Sequence, residues 1–168
     1  MNIPSNLDEL TAVFEKLGAR EPASWARSQL DEGIPQLQRF LFLRQAWRNV
    51  VREGDTNWMQ SQIHRAQQYP DEPHAGVGHA LRRCVEKGVS AQDLTDIVRG
   101  MQAQFLFHLC CLLDDPMFAE KELSDFVWGL FQVDKNGNPI SPRIGGLHES
   151  VLETDPTGRE MRPRKAAG

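Results

Sequence analysis

The chain has 168 residues and a mass of 19.1 kDa, with 19 basic and 23 acidic side chains for a net charge of −4. With 25% charged and 40% hydrophobic residues it has an ordinary globular composition, and at roughly 150 residues per domain the length predicts a single helical domain over 1–168. Those figures exclude a disordered, collagen-like or disulfide-scaffold chain, and they argue against a protein that grips nucleic acid by bulk charge.

Asn6 as N-cap, Glu9 three residues later and Gly18 as a stop predict a first helix over about 6–17. Leu7, Leu10, Val13, Phe14 and Leu17 share its inner face. Pro22 opens a short second helix that carries Trp25 and Leu30 and closes at Gly33. Pro35 opens a third, expected to last to about Glu53, with Leu37, Phe40, Leu41, Trp47, Val50 and Val51 inside. Along it Arg44, Arg48 and Arg52 recur every four residues, with Arg39 nearby. Like charges at that spacing repel, so something opposite in charge is expected close by: acidic side chains, a partner or a phosphate.

Asp55 or Thr56 caps a fourth helix carrying Trp58, Met59 and Ile63, and Tyr69-Pro70 stops it. Asp71 and Pro73 start a fifth, running through Val77, Leu81, Cys84 and Val85 to Gly88. Gly76 and Gly78 inside it predict another backbone packed closely there. Ser90 and Asp93 form a capping box for the sixth, which carries Leu94, Ile97, Val98, Met101, Phe105, Leu109 and Leu112 at helical spacing. Residues 105–113 are apolar on nearly every side, so a central buried helix over about 91–113 is expected. Asp115-Pro116 reads as the start of a short seventh helix reaching about Leu123.

Beyond Asp125 the period becomes two. Val127, Gly129, Phe131 and Val133 alternate with Trp128, Leu130 and Gln132, a turn follows over 134–137, and 138–141 reads as a return strand with Pro139 on an edge. From 143 onward regular pattern is lost, apart from two helical turns expected over 147–153. The fold class is therefore mainly α: a bundle of six to seven helices in a body over 1–125, a small β-hairpin at about 127–141 within 126–142, and an irregular strap over 143–168. The strap carries five basic and four acidic side chains, which leaves 14 and 19 for residues 1–142. A slightly cationic strap is expected to pair its arginines with an anionic body.

No complete motif for catalysis, metal or cofactor appears. Cys84, Cys110 and Cys111 are odd in number and lack C-x-x-C spacing. The calcium-like start at 134–138 meets Pro139 where a Gly is needed and Gly145 where a Glu is needed. His148-Glu149 begins the zinc-protease helix motif, but Leu152 replaces its second histidine, and Ser150 lacks the glycines of a nucleophile elbow. His108 beside Cys110 and Cys111 has no recognised ligand spacing. No basic-then-apolar leader is visible over 1–8, and the 105–113 run falls short of the ~20 residues of a membrane span. The expectation is a reduced cytoplasmic protein with no cofactor, no membrane and no nucleic-acid partner.

Two function classes follow. The preferred one is a non-enzymatic protein acting through protein–protein contact, as an adaptor, inhibitor or immunity-type neutraliser, with self-association among its modes. Trp128, Arg143, Asp155, Arg159 and Arg162, with Arg44, Arg48 and Arg52, are its candidate binding residues. The alternative is a small-ligand-binding protein or hydrolase-like enzyme with its site between the body and the strap. There His148 would be the acid/base, Glu149 and Glu153 its carboxylate partners, and Arg159 and Arg162 an anion clamp.

Overall fold

In a computed structural model, which describes residues 3–116 and 120–164, the capping residues set most helix ends where the sequence places them. Asn6 accepts the Glu9 amide at 2.9 Å to start α1 (Leu7–Leu17), and Gly18 ends it with φ +85°. Pro22 opens α2 (Pro22–Glu32), which Gly33 closes in the left-handed region. Asp55 takes the Asn57 amide ahead of α4 (Asn57–Gln68), and Ser90 takes the Asp93 amide at the head of α6 (Ala91–Asp114). The chain divides into two compact units, one of Met1–Arg48 with Phe105–Gly168 and one of Asn49–Gln104.

The first unit packs Leu10 and Phe14 of α1 against Trp25 and Ala26 of α2 and Leu37 and Phe40 of α3 (Gln36–Ala46). Phe14, Trp25 and Phe40 form a mutual aromatic contact, with ring centroids 5.3–5.9 Å apart. The strap belongs to this core. Ile144, Leu147 and Val151 are buried, two of them on or beside the short α7 (Leu147–Ser150), and the Trp47 indole donates to the Val151 carbonyl at 3.0 Å.

The second unit rests on Met59 and Ile63 of α4 and Leu81 of α5 (Ala75–Glu86), with Trp58, Ala91 and Leu94 packed on them. Gly78 is where the two backbones meet: a Cβ there would strike the Gln62 carbonyl and lie 2.5 Å from the Ala66 methyl. Gly76, expected to do the same, faces open space.

Five expectations need correction. α3 ends at Ala46 and passes through one tight turn at Trp47–Asn49 instead of reaching Glu53. Asn49 and the β-branched pair Val50-Val51 are weak helix formers, and the Val51 backbone is held by side chains instead, its N–H by Gln102 at 2.8 Å and its carbonyl by Arg99 at 2.9 Å. Arg44, Arg48 and Arg52 are exposed, and Arg48 and Arg52 lie beyond α3, so that helix does not carry the series. The fifth helix begins at Ala75 rather than near Asp71, because His74 sits at φ +72° and breaks the helical path behind it.

α6 is not a central buried helix. Its inner face carries Thr95, Arg99 and Ala103 in the second unit and Leu106 and Cys110 in the first. Thr95 accepts from the Trp58 indole, and Arg99 spends its charge on Val51. With polar groups satisfied inside, the apolar residues face outward: Ile97 and Met101 in one unit, Phe105, Leu109 and Leu112 in the other.

The hairpin does not form either. Among the described residues there is no strand, only isolated bridges of Leu130 with Ile144 and Val133 with Pro139. The turn is as expected, with Gly137 at φ +87° and its amide on the Asp134 carbonyl. Asp134, however, also gathers the amides of Asn136 and Asn138, Pro139 has no N–H to offer, and Ser141 Oγ takes the Gln132 amide. The flanks therefore share only scattered backbone bonds, Asp134 N to the Asn138 carbonyl and Ile140 N to the Gln132 carbonyl, and no continuous ladder. The expected helix over about 116–123 falls partly on 117–119, outside the described residues; Lys121–Leu123 forms a single tight turn. No helix among the described residues is long and apolar enough to cross a membrane.

Candidate functional site at the C-terminal end of α6

The last carbonyls of a helix have no partner within it and must be met from outside. At the end of α6 the incoming donors are three of the residues singled out in the sequence. The Trp128 indole donates to the Leu112 carbonyl at 2.6 Å. Arg143 reaches the carbonyls of Leu113 and Asp114. His148 closes on the Asp114 side chain, whose Oδ2 accepts both the His148 amide at 3.0 Å and its ring Nδ1 at 2.6 Å.

That pairing fixes the ring. An ionised carboxylate only accepts, so Nδ1 carries the proton and Nε2 is the open nitrogen. The Asp114 side chain is 10% exposed and that of His148 39% exposed, so the anchor is buried and the imidazole stays accessible. Phe107 stands edge-on to it, with centroids 6.2 Å apart. Asp114 itself sits where the helix dipole disfavours an anion, and the His148 and Arg143 contacts offset that cost.

Arg39 of α3 lies behind this pair. It is buried, and its Nη1 donates to Ser150 Oγ at 3.4 Å. Burial pulls its pKa below the ordinary guanidinium value, while Glu149, Asp114, Glu153 and Glu32 pull the other way. Gly146 is obligatory beside it. At φ +66° a side chain there would be strained, and its Cβ would run into the Arg39 guanidinium and come within 2.9 Å of a Glu149 carboxylate oxygen. Arg39 Nε and Asp114 Oδ1 are buried and have no hydrogen-bond partner among the described residues. One turn back, burial pushes the Cys110 thiol up to about 12, with Asp114 and Cys111 adding to the rise, so it is unreactive.

The other candidates lie elsewhere. Glu153 faces a groove with Arg20, Glu21, Glu149, Leu152 and Glu160. Burial raises its carboxyl pKa and Arg20 opposes the rise. Asp155 is buried and organises the turn after it, accepting from Thr157 N, Thr157 Oγ1 and Met161 N. Arg162 pairs with Glu160 at 2.8 Å, and Arg159 Nε donates to the Arg162 carbonyl, so both are engaged within the strap. Arginines act from both sides of the contact: Arg20 donates to the carbonyls of Glu153 and Gly158 and Arg39 to Ser150, while Arg143 of the strap donates to the carbonyls at the end of α6.

Beside the polar cluster is an apolar surface. Phe105 (69% exposed), Leu109 and Leu112 follow one another at helical spacing on the outside of α6, and Phe126 and Val127 (74% exposed) stand next to Trp128 in the chain. Asp114, Arg39 and Arg20 are not among the candidate site residues that the sequence suggests. Asp114 did carry a signal, an anion at a helix C-terminus that needs a cation. The contacts of Arg20, made 133 and 138 residues away, leave none. Chemically the cluster holds an oriented imidazole, but Ser150 Oγ is occupied by Arg39, and among the described residues no three histidine, cysteine or carboxylate side chains are placed to hold a metal. Comparison of the chain with protein-family models, with curated proteins and with solved structures finds no match in any of the three.

Proposed function

We propose that this chain is a non-enzymatic protein that acts by binding another protein through the outward apolar surface of Phe105, Leu109 and Leu112 and the adjoining segment over 126–128. The observation that carries the reading is the exposure of Phe105, Leu109 and Leu112 on the outside of α6, while Leu106 and Cys110 fill its inner face in the same unit. Large apolar side chains left in water forgo about 25 cal/mol per Å² of coverable surface, and contiguous patches of them mark interaction sites. The polar cluster beneath serves as scaffold: Trp128, Arg143 and His148 tie the following segment to the end of α6 and hold the surface in one shape. The unpaired state of Cys84, Cys110 and Cys111 supports a reducing, cytoplasmic setting. An adaptor, an inhibitor and an immunity-type neutraliser all fit such a surface. The enzyme alternative gains an oriented His148 but no free nucleophile beside it.

The experiment is a comparison of wild type with Phe105→Glu, a change at an exposed position. A partner chain, or a second copy, should be recovered in stoichiometric amount with wild type. It should be lost by at least about tenfold with the variant, at unchanged helical circular dichroism and melting temperature. Equal recovery with both proteins rejects the reading.

A further inference from the structure

We propose a second site on the same unit: the cavity between Trp25, Phe40 and the strap over 153–158 takes a small organic cation, an amine carried on an aromatic or branched apolar body. The cavity encloses about 200 Å³, and on the order of 150 Å³ suffices for a benzene-sized guest. Trp25 and Phe40 give it an aromatic wall, their rings crossing at 74°. Trp25 and Phe40 are both largely buried, so the wall is held in place by the core behind it.

The polar groups around the wall differ in what they have left to offer. Asp155 is occupied by Thr157 and Met161, and Thr154 Oγ1 by the Trp47 indole and the carbonyls of Ser150 and Val151. The Arg20 guanidinium spans two backbone carbonyls and lies 3.9 Å from Glu160. The Glu153 carboxylate is left with no hydrogen-bond donor among the described residues. Partial burial raises its pKa, with Glu160 and Glu21 adding to the rise and Arg20 and Arg39 opposing it.

The surroundings favour the same sign of ligand. Arg20 and Glu153 also line the open groove of about 560 Å³ that adds Glu21, Glu149 and Glu160. One arginine among four carboxylates makes that approach negative, so it draws in cations and repels anions. An ammonium group at Glu153 would place its apolar body against Trp25 and Phe40, where cation–π attraction adds to burial.

Phenethylamine, protonated at neutral pH, is a suitable probe for calorimetric titration into the full chain. Hydrocinnamate, a carboxylate of similar size, is the control. Phenethylamine should bind saturably and shift the Trp25 indole resonance in NMR spectra, and hydrocinnamate should bind at least about tenfold more weakly. Glu153→Gln, which leaves the Glu153 carbonyl free to hold Arg20, should weaken phenethylamine about tenfold. Ala19→Leu, which fills the cavity from its rim, should abolish binding without a change of charge. No saturable binding of phenethylamine, equal binding of the anion, or an affinity indifferent to Glu153→Gln overturns the proposal.

Discussion

The two units are held together by different means. The first fills its interior with bulk: Phe14, Trp25 and Phe40 meet ring to ring, and Leu147 and Val151 of the strap are fully buried. The second rests on a smaller cluster of Met59, Ile63 and Leu81, backed by a glycine contact at Gly78 and by the polar pair Thr95 and Arg99. A large interior gains most from buried area and suffers most when volume is removed. A small interior gained by close backbone approach suffers when volume is added. The difference also explains why α6 turns its apolar face outward: the second unit needs hydrogen-bonding side chains from it at Val51 and Trp58 more than it needs more grease.

The largest expected effect follows from the aromatic core. Phe14→Ala removes a fully buried ring and should cost about 3–5 kcal/mol in urea denaturation. Hydrogen exchange sharpens the result: protection should fall in α1–α3 first. If α4 and α5 lose protection to the same extent, the two cores unfold as one and the contrast between them is structural only. Next comes Gly78→Ala. Its new methyl meets the Gln62 carbonyl and the Ala66 methyl, so it should cost about 1–3 kcal/mol by overpacking. Gly76→Ala, two residues earlier in open space, should stabilise by about 0.5–1 kcal/mol. Measured together by thermal denaturation, the two alanines should move in opposite directions; a shared sign would remove backbone approach as the basis of the second unit.

What the sequence reveals tracks how local the cause is. Helix ends set by Asn6, Gly18, Pro22, Gly33 and Ser90 are legible because a cap acts within three or four residues. The burial of α6 is not. Its period is visible, but Ile97 and Thr95 compete for the inside, and the choice depends on Trp58 and Val51, far along the chain. Residues 127–133 alternate as a strand does, yet the Asp134, Pro139 and Ser141 contacts remove the ladder. At the site, Trp128, Arg143 and His148 were legible as a dense polar segment with permissive glycines. Their meeting point, the last three residues of α6, was not, because helix carbonyls carry no sequence signature. Asp114 was the exception.

The smallest effect probes the strap of the first unit through pH. Burial raises the Glu153 pKa in the folded state, so the folded protein holds that proton more tightly than the unfolded chain does. A raised pKa means that the group's contribution is fully favourable at low pH and is lost as pH rises through the folded value. At neutral pH the ionised carboxylate is therefore a small burden, and the neutral amide of Glu153→Gln escapes it. The variant should melt slightly above wild type at pH 7, by less than about 1 kcal/mol of stability because the side chain is partly exposed to screening water. The advantage should fade as pH falls below the ordinary glutamate value of 4.5. A variant less stable than wild type at pH 7 would show that attraction to Arg20 outweighs burial. The strap would then be an electrostatic clasp, and the first unit would depend on charge as the second does.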